Sequence, residues 1–184
     1  LWIVLDLNGA AHRGSGPTST LEYAIVLAAS LTAELLSGGD RRAVGLLAAG
    51  SGPDGPLSVT VPPLPGKGHL WQILAALAPA QQGDTPLDGL LRHNRELLGR
   101  GQTLVVITPD LTTTSAAWLA ELLHLRRAGV VSSAMLVTPA AADSPEGQAA
   151  GQEILQELLA RHEIPAQFLQ ADTPLRAALT YRRR

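Results

Sequence analysis

The chain has 184 residues, 46% of them hydrophobic, 3% aromatic and 16% charged, with a net charge of −2. That length suffices to bury a full core and is most simply one domain, and so weak a charge excludes a strong field toward nucleic acid or an anionic membrane surface. Cysteine is absent, which excludes disulfides, thiolate metal sites and cysteine nucleophiles.

The apolar run Leu1–Leu7 reads as a buried strand and carries Asp6-Leu7-Asn8-Gly9-Ala10 at its end. A Gly/Ser/Pro loop, Gly9–Thr18, follows. A helix is predicted over Ser19–Ser37, with the apolar stripe Leu21, Ala24, Ile25, Ala28, Leu31 and Leu35. Ser19 and Glu22 fit a capping box, and Gly38-Gly39 ends the helix. Ala43–Ala49 is the second strand and Gly50–Pro56 a turn. Leu57–Val61, stopped by Pro62-Pro63, reads as a short edge strand antiparallel to its predecessor.

His69–Leu77 and Pro86–Leu98 are predicted helices. Thr85 stands at the N-cap of the second, with Pro86 first and Asp88 in the first turn. Thr103–Thr108 is a central strand, Thr114–Ala128 a helix closed by Gly129, and Val130–Val137 a strand. Ser144–Glu163 is a long helix, Pro165–Leu169 the last strand, and Pro174–Thr180 the start of a final helix. Strands alternating with helices predict an α/β fold with a largely parallel sheet. The chain opens inside a strand and Met135 is its one methionine, so it reads as a piece excised from a longer protein. No uninterrupted run of about 18 apolar residues is present, so no membrane span is expected from this segment. Tyr181-Arg182-Arg183-Arg184 reads as a solvated basic end.

Most catalytic patterns fail on inspection. Gly50-Ser51-Gly52-Pro53-Asp54-Gly55 matches G-x-G-x-x-G in letters, but a dinucleotide site needs a helix to open there, and Pro56 with a strand-like segment follows. No P-loop and no G-x-S-x-G elbow occur. The histidines show no metal pairing; His93, His124 and His162 read as solvated helix residues and His12 as a plain loop residue after the Asp6 motif, with reach to the site as the alternative. Trp71 and Trp118 occupy apolar helical positions and read as packing residues. Sparse aromatics without interleaved basic residues argue against nucleic-acid stacking.

The chemistry gathers at one place. In open α/β sheets ligands bind outside the carboxyl ends of the strands. Asp6 ends the first strand, Asp110 follows Thr103–Thr108, and Thr85 lies in the loop before its helix. Adjacent strands would bring the two carboxylates together, where they repel unless a proton or cation intervenes. Carboxylate, hydroxyl and amide oxygens are the ligands of a hard cation such as Mg²⁺. Other readings remain open: Asp110 as the cap of a following turn, Asn8-Gly9 as a plain tight turn, and Asp6 held by amides of the Gly9–Gly16 loop.

These residues carry a resemblance. Asp6-x-Asn8-x-Ala10 resembles the D-x-S-x-S motif of von Willebrand factor A domains in altered form. Gly83-Asp84-Thr85 resembles their G-x-T loop, and Thr108-Pro109-Asp110 their strand-end T-D-G. The resemblance is nearer still to one bacterial branch, the domain-of-unknown-function family numbered 58. It lies in Glu22, Leu27-Ala28-Ala29-Ser30-Leu31, Arg42-Ala43-Val44-Gly45-Leu46-Leu47 and Gly68-His69-Leu70, over roughly Leu1–Pro139.

The resemblance implies a Rossmann-like three-layer sandwich, mostly parallel with one antiparallel edge strand. It implies a metal-ion-dependent adhesion site with Asp6, Asn8, Thr85 and Asp110 around Mg²⁺ or another divalent cation. It also implies a non-enzymatic protein-interaction module acting with a MoxR-type AAA+ ATPase, cytoplasmic, in a parent protein anchored to the inner membrane. Ala10 departs from the motif, offering no oxygen where the family has serine, so the expected site is degenerate and its affinity weak. Two rivals stand beside this reading: a structural domain with a vestigial site, and a metal-dependent hydrolase or nucleotide-binding enzyme built on Asp6 and Asp110.

Overall fold

The computed structural model describes residues 1–37, 42–111, 115–140 and 148–175. The expected helix stop at Gly38-Gly39, the helix starts at Thr114 and Ser144, the final helix beyond Leu175 and the basic end Tyr181–Arg184 lie outside them.

Six strands form one sheet: β1 (Trp2–Asp6), β2 (Val44–Gly52), β3 (Gly55–Leu64), β4 (Thr103–Thr108), β5 (Val131–Thr138) and β6 (Ala166–Gln170), in the order β3-β2-β1-β4-β5-β6. All pairs are parallel except β2–β3, which is antiparallel. The predicted fold class, with its antiparallel edge strand, is the one observed.

Alternation along β1 explains the layers. Ile3 and Leu5 face helices α1 (Thr20–Ser37) and α2 (Lys67–Leu77), together with Val105 and Ile107 of β4. Trp2 and Val4 face the opposite core, with Leu104 and Val106. There the helices are α3 (Leu87–His93), α4 (Ser115–Arg127) and α5 (Gln148–Arg161), contributing Leu91, Leu122 and Leu159 among others. A strand buried on both faces needs apolar residues at every position, which is why β1 and β4 read as continuous hydrophobic runs. The register sets Leu5 beside Ile107, so Asp6 and Thr108 come level at the carboxyl edge. This is where chain order reverses across the sheet, the topological switch point of doubly wound folds.

Several expected boundaries shift for identifiable reasons. The turn at Gly50–Pro56 is shorter than expected, because β2 runs to Gly52 and β3 starts at Gly55, leaving Pro53-Asp54 between them. Pro62-Pro63 does not stop β3, since pairing there skips from Leu46–Val61 to Val44–Leu64; an edge strand absorbs prolines at such an irregularity. α3 ends at His93 instead of Leu98, and the Asn94 side chain donates to the Leu90 carbonyl at 2.9 Å, competing with the helical pattern.

Pro86, extended at φ −70° and ψ 150°, takes the N-cap position of α3, so Thr85 is not the cap. Only half of the capping box at α1 forms: Ser19 Oγ accepts from Glu22 N–H at 3.2 Å, while the Ser19 N–H goes to Gly16. The buried stripe of α1 is rotated to include Tyr23 and Leu27, with Leu21 and Ile25 only partly covered.

α1 is long and apolar enough by length and composition to cross a membrane, which counting uninterrupted apolar runs does not register. Its Ala24, Leu27, Ala28 and Leu31 nevertheless lie buried in the core with Leu5 and Val105. Trp71, expected to pack, is instead 70% exposed, whereas Trp118 is buried at 1%. His69, Ile73 and Leu77 form the buried side of α2 at four-residue spacing, and Trp71, two residues from His69, points away from it.

Candidate functional site

Asp6 ends β1 nearly out of water, 2% exposed. Its Oδ1 accepts the Asn8 N–H at 3.0 Å, and its Oδ2 accepts the Thr108 hydroxyl at 2.6 Å. The partners are therefore Asn8 and Thr108, rather than amides of the Gly9–Gly16 loop. Thr108 also accepts the Asp110 N–H at 3.0 Å, so one hydroxyl links the ends of β1 and β4. Burial pushes the Asp6 pKa up to about 6; the hydrogen bonds from Thr108 and Asn8 oppose that shift, and the charge of Asp110 adds to it.

Asn8 turns back on its own loop. Its Oδ1 accepts the Ala10 N–H at 3.2 Å, and its carbonyl accepts the Ala11 N–H at 3.0 Å, so the Asn8-Gly9 turn forms. The loop carrying Thr85 is stitched to this turn: Gly83 N–H donates to Leu7 O at 2.9 Å and Gly9 N–H to Gly83 O at 2.8 Å. Thr85 itself is exposed. Close backbone passage makes the stitch possible. A Cβ on Gly83 would lie 2.5 Å from Gly50 Cα, and one on Gly50 would lie 2.4 Å from Gln81 O. The Gly50 that imitates a nucleotide motif thus serves the approach of two chain segments.

His12 is not an open loop residue. It is 5% exposed, with Nε2 donating to the Asp6 carbonyl at 2.9 Å and Nδ1 paired with Thr20 Oγ1 at 3.1 Å. A carbonyl only accepts, so Nε2 carries the proton and neutral Nδ1 accepts from Thr20. Burial lowers the His12 pKa; its bond to the Asp6 carbonyl works against that shift and the charge of Arg13 works with it. The helices flanking the site are also tied. Glu121 of α4, 7% exposed, accepts from Arg92 Nε at 3.2 Å and Arg95 Nη2 at 2.5 Å.

The structure brings Asp6, Asn8 and Asp110 together through hydrogen bonds, and draws the Thr85 loop to them through Gly83. By donor type alone, the carboxylates of Asp6 and Asp110 and the hydroxyl of Thr85 are oxygen ligands of the kind a hard divalent ion takes. Asn8 in this conformation does not contribute, because its amide oxygen is engaged by Ala10, and Ala10 has no side-chain oxygen. Among the described residues no group of three or more His, Asp or Glu able to hold a metal ion gathers, at this edge or elsewhere. Thr108 as the partner of the Asp6 carboxylate is not among the expectations from sequence, and His12 meets Asp6 as its alternative reading allowed, through the backbone carbonyl. The first was legible in principle, because aligned ends of adjacent strands put the two level.

No family model matches the chain, and no curated protein matches it. Solved structures do share its fold. The pilus adhesin SpaC of Lactobacillus rhamnosus GG, in its open conformation, is similar over 94% of this chain at 16% identity and a TM-score of 0.60; the chain spans 28% of the adhesin. Manganese-loaded TRAP protein of Plasmodium vivax is similar over 93% of this chain and 68% of its own, at 13% identity and a TM-score of 0.56. A von Willebrand factor type A protein from Catenulispora acidiphila is similar over 98% of this chain and 40% of its own, at 13% identity and a TM-score of 0.54. At such identities the likeness is one of architecture: a mostly parallel α/β sheet with one antiparallel strand, of the von Willebrand factor A type.

Proposed function

We propose that the chain is a protein-interaction module that receives its partner at the carboxyl edge of β1 and β4. The observation that carries this reading is the meeting of Asp6 and Asp110 at the switch point of the sheet, joined through Thr108. Adhesion proteins such as SpaC share the architecture, which supports an interaction role over an enzymatic one. The hydrogen bond between Thr20 and His12 lies in a buried setting, with Thr20 0% exposed, and offers no accessible nucleophile.

The ion belongs to the same proposal. Asp6, Asp110 and Thr85 would hold Mg²⁺ or another divalent cation weakly, with Asn8 reaching it only by giving up its turn. The bound ion would present a positive charge to an acidic side chain of the partner. The TRAP protein, alike in fold, is manganese-loaded, which supports a divalent ion in this reading. The partner we propose is a MoxR-type AAA+ ATPase, on the likeness of Glu22, Leu27–Leu31, Arg42–Leu47 and Gly68–Leu70 to family 58. With it comes a cytoplasmic placement, tethered at the inner membrane by other parts of the parent protein.

Titration calorimetry with Mg²⁺ and Mn²⁺ tests the ion, and binding with a rise in melting temperature is expected. No heat from either ion and an unchanged melting temperature would remove it. Capture of a MoxR-type AAA+ ATPase from the same organism tests the partner; recovery of nothing, with or without nucleotide, rejects it. A vestigial site is the second reading, favoured by one observation: both Asp6 oxygens and Asn8 Oδ1 are already hydrogen-bonded within the chain. On that reading Asp6→Ala leaves partner capture intact.

A further inference from the structure

We propose that Arg13 is the residue through which this face grips a carboxylate of its protein partner, with or without an ion beneath. The inference rests on reading the strand-end edge as the partner surface. It adds a different reading group from the ion.

Arg13 lies in the loop between β1 and α1, and its backbone is fixed there. Its N–H donates to Thr20 Oγ1 at 2.9 Å, and its carbonyl accepts the Thr20 N–H at 3.0 Å. The side chain is anchored too. Nη1 donates to the carbonyls of Ala10 and His12, each at 2.7 Å. These contacts place the guanidinium over the turn that carries Asn8 and Ala10. Nε and Nη2 have no further hydrogen bond or ion pair among the described residues, and the side chain is exposed.

A guanidinium is permanently charged and offers donors in a fixed planar fork that matches a carboxylate. Two anchors on one arm orient the fork in advance, so less side-chain freedom is lost when a ligand binds. Charge at this edge makes the residue decisive. The loops at the strand ends carry Asp54, Asp84 and Asp110, and Arg13 is the sole lysine or arginine in residues 1–40. The loop residues 81–86 and 109–111 contain none. Without a cation below, an incoming carboxylate meets acidic loops, and Arg13 is the fixed positive charge that counters them.

The test uses the ¹⁵N-labelled chain in EDTA. Three probes are titrated: acetyl-Gly-Gly-Asp-Gly-Gly-amide, its Asn counterpart, and acetyl-pentaglycine with a free carboxyl end. The first and third separate a side-chain carboxylate from a terminal one, and saturable shifts with either support the inference. The shifts should fall on the amides of residues 9–16 and on the Arg13 Nε–H. R13A should weaken binding about tenfold, and R13K, which keeps the charge and a donor for the Ala10 and His12 carbonyls but loses the fork, by a smaller factor.

Unchanged affinity in both variants overturns the proposal, as does an Asn peptide that binds equally well. Absence of any saturable shift also overturns it. Binding that needs Mg²⁺ in place of EDTA and survives R13A overturns it while leaving the ion reading in force.

Discussion

Burial raises the Asp6 pKa to about 6 from an ordinary 3.8, so between those values the folded chain holds a proton that the unfolded chain has lost. The Asp6 contribution to stability is therefore fully present below pH about 4 and lost as pH rises through about 6, on the order of 3 kcal/mol for such a gap. His12 acts in the opposite sense. Its pKa lies below the ordinary 6.5, so its contribution is present above that value and lost as pH falls toward the folded pKa. Asp6→Asn should remove the first slope and expose the second: its melting temperature should rise as pH is raised toward the ordinary 6.5 of a histidine, and level off above it. Calorimetric melts at half-unit pH steps measure this, and a variant profile parallel to the parent's would refute the assignment. Thr108→Val removes the donor to Asp6 Oδ2 and the acceptor of the Asp110 N–H together. A loss of about 1–3 kcal/mol at pH 7.5 in urea unfolding is expected, with Thr108→Ser restoring most of it; a neutral Thr108→Val would mean that the hydroxyl is not what holds the buried carboxylate.

Elements reach the site through backbone contact as much as through side chains. The segment Gln81–Gly83 runs against the end of β2, pairing at Ser51–Gln81, and continues into the Asn8–Gly83 bridge. Gly83→Ala would force a Cβ against Gly50 backbone atoms 2.5–2.6 Å away, which neither segment can yield by a rotamer change. Overpacking of this kind costs about 1–3 kcal/mol. The substitution should lower the melting temperature and blunt any Mg²⁺ response, because the Thr85 loop is displaced; full stability and an unchanged response would show that the stitch is dispensable. Nothing local in the sequence announces this role, since glycine requirements set by chain crossing depend on which segments meet. The same holds for α1, whose stripe rotates toward Tyr23 and Leu27 because the sheet, not helical periodicity, selects the buried side. β3 runs on to Leu64, beyond the expected Val61, because pairing resumes past Pro62-Pro63 through an irregularity that an edge strand tolerates and that no local residue pattern announces.

At the scale of the whole molecule, the alternation of apolar runs and helices made the fold class legible, while the strand order depended on pairings that one chain does not display. The expectation for Asp6 and Asp110 was conditional on β1 and β4 being neighbours, which they are, and that adjacency also places both strands in the protected interior of the sheet. β1 is paired on both sides and buried at all five positions, and β4 is buried at five of its six. β3 pairs only with β2 and carries exposed Ser58 and Thr60 along its length. Amides of Ile3, Leu5, Val105 and Val106 should then exchange with deuterium only through global unfolding, whereas those of β3 exchange through smaller local openings. An ion bound at Asp6 and Asp110 in the folded state alone adds RT ln(1 + [ion]/Kd) to global stability. Mg²⁺ should therefore slow exchange in β1 and β4 by the factor 1 + [ion]/Kd and leave the locally opening amides of β3 unchanged. Equal slowing in all strands would mean that β3 also opens only globally. No slowing in β1 or β4 at ion concentrations that give heat in calorimetry would place the ion away from the switch point.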